Sequence, residues 1–185
     1  ILKINRPEKI GAESTLAKQL RYGLKYMALV TIEQDKFERV IKFGFAKKPG
    51  DEISKSLIFE LMGKHSNIFY LDNNQKIIAV GKQLNTYQSS FRSVSTGSIY
   101  SEPPKNLKKE PTPNESYESW KESISSVSET LKSSLINTYQ GVSPILTKQI
   151  ESFSNLSSAE IMNKSTDFIS ETNLKKIYES WKTWI

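Results

Sequence analysis

Glu60-Leu61-Met62-Gly63-Lys64-His65-Ser66-Asn67-Ile68 places a glycine, a lysine, the chain's one histidine and an asparagine between two apolar runs, 54–62 and 67–71, that read as β-strands. That is more polar chemistry than an ordinary hairpin turn needs. Gly63 marks a bend whose backbone N–H groups turn outward. His65, Ser66 and Asn67 can hydrogen-bond a phosphate or a ribose edge there, with Lys64 adding charge. The same residues also fit a glycine bulge whose polar groups satisfy one another and solvent.

Working outward, 27–33, 37–47 and 76–81 are further short runs rich in Val, Ile and aromatics, so five antiparallel strands follow one another. Lys48-Pro49-Gly50-Asp51 and Asp72-Asn73-Asn74-Gln75 are the hairpin loops, because Gly and Asn tolerate positive φ and Pro presets the first turn residue. Ahead of the strands, Ser14 and Thr15 can cap an amphipathic helix over 13–25. Its apolar Leu16, Leu20 and Leu24 recur every four residues. Residues 83–100 turn to Ser, Thr, Gln and Asn and read as an ordered but irregular segment. Four of the seven prolines then fall within 103–113, where no helix or central strand persists. Beyond it helical patterns dominate, over 117–124, 129–139, 144–153, 159–162 and 174–184. The expected architecture is α+β: a β-rich domain over 1–102, a Pro/Lys-rich linker over 103–113, and a small all-helical domain over 114–185.

Composition limits the chemistry. The 185 residues carry Lys+Arg 26 against Asp+Glu 20, a formal charge of +6, which favours polyanions as partners. There is no cysteine and a single histidine, so thiolate nucleophiles, disulfides and imidazole clusters for zinc are excluded. No P-loop, G-x-S-x-G or G-x-G-x-x-G element occurs, and pairs such as Asp51-Glu52 read as solvated loop residues. The expectation is a protein that is no enzyme and needs no cofactor. No apolar run approaches the ~20 residues that cross a bilayer. Ile1 is not an initiator methionine and 1–4 alternates like a strand in progress, which suggests a piece of a longer protein.

Taken in order, Glu60 to Asn67 resembles the ELMG(R/K)HSN signature of the NFACT family, the fibronectin-binding protein A-like proteins of ribosome quality control. Ser90-Phe91-Arg92-Ser93-Val94 with Gly97, Tyr100 and Pro103-Pro104 is similar to the segment that closes that family's N-terminal domain, a domain itself similar to that of base-excision glycosylases. Arg92 and Tyr100 can meet a nucleotide's backbone and base there, or Arg92 can cover an apolar edge of the sheet. The equivalent of Phe37-Glu38-Arg39-Val40 in the family is a strand with an Asp-Arg pair used on tRNA. Here Glu38 is longer by one methylene, while Arg39 keeps the guanidinium fork; in a regular strand the two would project from opposite faces, and they also read as ordinary cross-strand ion pairing. Tyr139-Gln140-Gly141-Val142-Ser143-Pro144 resembles a helix-hairpin-helix turn, in which the free N–H groups of the second helix meet phosphate and Lys148 lies one turn on. It also reads as a plain packing hairpin, with Ser143 where a second glycine is usual.

The resemblance implies a tRNA-binding module associated with the large ribosomal subunit, helping to tail stalled nascent chains. Its RNA-binding residues would be Glu38, Arg39, Lys64, His65, Ser66, Asn67, Arg92, Gly141, Ser143 and Lys148. The wording of the motifs is closest to cyanobacterial or plastid members, so the expected place is cytoplasm or plastid stroma. The alternative is a shortened scaffold subunit that meets other proteins through Tyr178, Trp181 and Trp184, residues that equally fit a core. Lys105, Lys108 and Lys109 read as a solvated connector or a ribosomal RNA contact.

Overall fold

A computed structural model describes residues 11–83, 94–125, 129–156 and 161–185. The chain divides into two compact units, Ile1–Pro104 and Lys105–Ile185.

In the first unit, α1 (Thr15–Gly23) starts where the Ser14 hydroxyl accepts a hydrogen bond from the Ala17 N–H at 3.2 Å. Five strands follow, β1 (Ala28–Gln34), β2 (Val40–Ala46), β3 (Lys55–Glu60), β4 (Asn67–Asp72) and β5 (Ile77–Val80). They form one antiparallel sheet in sequence order. The tighter hairpin forms as expected: the Asp72 carboxylate accepts from the N–H groups of Asn74 and Lys76, both at 2.9 Å, and Gln75 takes φ +60°.

The second expected strand is shorter than its apolar pattern. Residues 35–39 form a turn in which the Glu38 N–H donates to the Asp35 carbonyl at 2.8 Å and Lys36 takes φ +48°. Glu38 and Arg39 therefore lie in a connection, and the opposite-face argument for them does not apply.

Ile58, Phe69, Leu71, Ile77 and Val94 close a small core on one face of the sheet, with Val40, Val80 and Tyr100 at its margin. Tyr70 alternates with Phe69 and Leu71 and so belongs to the other face, where it meets α1. Gly23 is required by this contact, since a Cβ built there would collide with the Tyr70 ring and hydroxyl. Ordinarily Gly→Ala in a helix gains roughly 0.5–1 kcal/mol. Here overpacking costs about 1–3 kcal/mol and wins, so Gly23→Ala should lower the thermal midpoint followed by circular dichroism. Tyr70→Phe should be close to neutral, because the Tyr70 hydroxyl is buried without a hydrogen-bond partner. An undiminished midpoint for Gly23→Ala would refute this packing.

The second unit contains α2 (Tyr117–Ser125), α3 (Leu131–Thr138), α4 (Pro144–Phe153) and α5 (Glu171–Trp184), with single 3-10 turns at Ile161–Asn163 and Thr166–Phe168. Thr130, Ser143 and Ser170 cap α3, α4 and α5 through their hydroxyls, and Pro144 occupies the first turn of α4. Trp120, Leu131, Leu135, Ile150, Ile177 and Trp181 are central to its core.

Two expectations change here. Residues 105–113 are folded against the helices and do not form a free linker. The Lys109 N–H donates to Thr138 O at 2.8 Å, the Gln140 N–H donates to Lys109 O at 2.9 Å, and Lys108 Nζ donates to Ile136 O at 2.7 Å. The proline content forbids a helix but leaves these backbone groups free to pair with neighbours. Trp181 is 0% exposed and Tyr178 6%, with the half-buried Trp184 packed beside them, so Trp181 and Tyr178 are core residues.

Candidate nucleic-acid interface

Because successive strands run in opposite directions, the β1–β2 turn, the 61–66 connection and the exit from β5 all emerge at one end of the sheet. Arg39, Lys64, His65 and Lys82 are thereby brought to that end, and all four are exposed. The Leu61 N–H donates to the Arg39 carbonyl at 2.8 Å, tying the backbone of the arginine turn to the first residue after β3.

The opening motif separates into structural and outward-facing residues. Gly63 begins a 3-10 turn over Gly63–His65 with φ +58° and open space around it, so the left-handed backbone and not crowding calls for glycine. The Ser66 hydroxyl accepts from the Met62 N–H at 2.9 Å and donates to the Gly63 carbonyl at 2.7 Å, closing the loop on itself. The Asn67 side chain grips the backbone of Lys82 at both ends: its amide donates to Lys82 O at 2.8 Å and its carbonyl accepts from Lys82 N at 2.9 Å. Glu60, 2% exposed, accepts from the Tyr100 hydroxyl at 2.8 Å, and the Tyr100 ring meets Phe69 edge-on at 5.0 Å. Ser66 and Asn67 thus hold the loops in place, and Lys64 and His65 are the motif residues turned to solvent.

Glu38 is half-buried, and its carbonyl accepts from the Gln34 side chain at 2.8 Å. Arg92 lies outside the described residues. Gly141, Ser143 and Lys148 belong to the second unit. Gly141 takes φ +74° in the turn between α3 and α4, and Lys148 is exposed on α4. The Ser143 hydroxyl already accepts from the Leu146 N–H at 3.2 Å, its carbonyl accepts from Thr147 N at 3.0 Å, and Pro144 has no N–H. Of the donors expected to greet a phosphate there, the Ile145 amide is left.

Sequence reasoning missed Lys82. The one available signal was its position directly after Gly81 at the close of the fifth strand, beside the start of the fourth. A groove of about 300 Å³ also went unforeseen; its lining includes Phe59, Leu61, Ile68, Gly81 and Lys82, together with Glu60, Ser66 and Asn67. Among the described residues no cluster of His, Asp or Glu is placed to hold a metal ion, and no helix is long and apolar enough to cross a membrane.

The fold places the chain in a class with known structures. It resembles the N-terminal part of the fibronectin/fibrinogen-binding protein from Streptococcus suis with a TM-score of 0.63 at 22% identity, covering 98% of this chain and 77% of that one. The fibrinogen binding protein from Staphylococcus aureus gives 0.63 at 25% identity, over 92% of this chain and 60% of that one. The chain belongs to the NFACT family: the family model for the NFACT N-terminal and middle domains matches residues 2–185. Among relatives, the Rqc2 homolog RqcH of Streptococcus pneumoniae D39 is 37% identical over 100 residues, 52% of this chain and 18% of that protein. The Rqc2 homolog RqcH of Bacillus subtilis 168 is 31% identical over 121 residues, 64% of this chain and 21% of that protein. The chain therefore spans about a fifth of the length of these two relatives.

Proposed function

We propose that this chain is the RNA-binding part of a ribosome quality control factor. In this reading it engages tRNA beside the large ribosomal subunit, supports the tailing of stalled nascent chains, and performs no chemistry of its own. Cytoplasm or plastid stroma is where such a factor would meet its ribosome. The observation that carries the reading is the convergence of Arg39, Lys64, His65 and Lys82 at one end of the sheet, on loops braced by Ser66 and Asn67. Braced loops let cations meet phosphate with less ordering cost on binding. Family membership and the RqcH relatives support the ribosomal setting. Gly141, Ser143 and Lys148 stand as a second contact in the helical unit. The scaffold alternative loses its main support with Trp181 and Tyr178 in the core.

Fluorescence anisotropy with labelled tRNA tests the reading. Log affinity should fall linearly with log salt, and Arg39→Glu or Lys64→Glu should each flatten that slope by about 0.7 to 0.9 for every phosphate the variant no longer neutralises. Affinity indifferent to salt and to both reversals would refute it.

A further inference from the structure

We propose that residues 105–109 are a latch on the α3–α4 turn that opens as a unit while the core of the helical unit stays folded. Closed, it holds the turn in the conformation used at the second contact of the RNA-binding reading above, on which this last step rests. The strap closes the C-terminal end of α3, whose last carbonyls have no partners within the helix. The Lys109 N–H donates to Thr138 O at 2.8 Å, and Lys108 Nζ donates to Ile136 O at 2.7 Å. A parallel bridge between Lys109 and Tyr139 carries the pairing into the turn, where the Gln140 N–H donates to Lys109 O at 2.9 Å. The Gln140 side chain then reaches back across the strap, its amide donating to Asn106 O at 3.0 Å and to Lys108 O at 2.8 Å. Gly141, at φ +74°, follows directly, so the residue that reverses the chain is held through its neighbour.

Opening this latch costs hydrogen bonds and little apolar burial. Leu107, the strap's one large apolar side chain, is 97% exposed, whereas Tyr139 and Val142 of the turn are 0% and 4% exposed and stay with the core. Segments held by exposed hydrogen bonds, with few buried apolar contacts, open at the low end of a protein's local stabilities. Lys109 is the pin: its ammonium pairs with the buried Glu115 carboxylate and ties the C-terminal end of the strap to the core. Lys108 differs from a free surface cation. Its ammonium is committed to the end of α3 while the latch is closed, so it positions the turn and does not neutralise phosphate.

Hydrogen exchange of the 185-residue chain, read residue by residue by NMR, tests the latch without RNA. Gln140→Ala combined with Lys108→Met removes three side-chain hydrogen bonds and leaves Lys109 and Glu115 paired. The Lys109 and Gln140 amides should then exchange at least about tenfold faster, with those of Ile177 and Trp181 in α5 unchanged. Unaltered exchange at Lys109 and Gln140 overturns the latch. So does equal acceleration in α5, because the strap would then open only with the core. Fluorescence anisotropy with labelled tRNA tests the positioning role. Lys108→Met should weaken binding roughly two- to tenfold with the salt slope unchanged, and Lys108→Arg, which keeps a donor, should restore it. A slope flatter by about 0.7 to 0.9 makes Lys108 a direct phosphate contact and overturns its place in the latch. Faster exchange with tRNA affinity intact upholds the latch and removes the second RNA contact, so the two failures are told apart.

Discussion

Replacing Glu115 by alanine should destabilise the second unit by about 3–5 kcal/mol, the cost of stripping one partner from a buried ionic network. The Glu115 side chain is 2% exposed, accepts from the Tyr139 hydroxyl with both oxygens at 2.9 Å, and pairs with Lys109, whose ammonium also donates to the Ser123 hydroxyl at 2.8 Å. The Tyr178 hydroxyl donates to the Glu115 carbonyl at 2.5 Å. One residue therefore ties the 105–115 segment to α2, the end of α3 and α5, and its removal takes the carboxylate away from a tyrosine hydroxyl and a lysine. Tryptophan fluorescence during urea unfolding reads this unit alone, since all three tryptophans, 120, 181 and 184, belong to it. The same network sets an alkaline limit. Burial first, and the Glu115 carboxylate second, push the Tyr139 phenol well above its usual value of 10.0; burial also raises Tyr178, and takes Tyr117 to about 12. The folded unit thus keeps protons that the unfolded chain releases above pH 10. This stability is fully present below pH 10 and is lost as pH rises beyond it. An unchanged urea midpoint for Glu115→Ala would show that the network contributes nothing.

Much of the framework was legible because local chemistry and periodicity agree. Ser14 ahead of Leu16, Leu20 and Leu24 gives α1, Asp72 to Gln75 gives the tight hairpin, and Ser143-Pro144 gives the start of α4. The β1–β2 turn was placed at 34–36 but runs on to Arg39, because the apolar Phe37 extends the strand pattern while Lys36 takes φ +48° and the Glu38 N–H turns back to the Asp35 carbonyl. The site was half legible. The type and spacing of Lys64, His65 and Asn67 mark a polar loop, but nothing local tells that Asn67 reaches Lys82, fifteen residues on, and not a ligand. Residues 105–113 show the same limit. Proline excludes a helix, and only the tertiary partners Thr138, Gln140 and Glu115 reveal that the segment is packed down.

Trp181 offers the second large effect, and it discriminates between core and interface. Its ring is 0% exposed, with centroids 4.7 Å from Tyr139 and 5.1 Å from Trp184. Trp181→Ala should cost about 3–5 kcal/mol through the burial it forfeits and the cavity left behind. Trp181→Phe should cost less, because it keeps an aromatic ring and removes an indole N–H that is buried without a partner. Circular dichroism at varied protein concentration provides the check, since the variant removes part of the fluorescence signal. A core residue lowers the urea midpoint equally at every concentration, whereas an interface residue would leave the monomer's midpoint alone and shift only the association state. Because Trp181 packs on Tyr139 and Tyr139 holds Glu115, the two alanine substitutions share a partner. They should combine with a coupling of about 0.5–3 kcal/mol in a double-mutant cycle. Strict additivity would mean that the aromatic core and the ionic network stabilise the helical unit independently, which is not what the shared Tyr139 predicts.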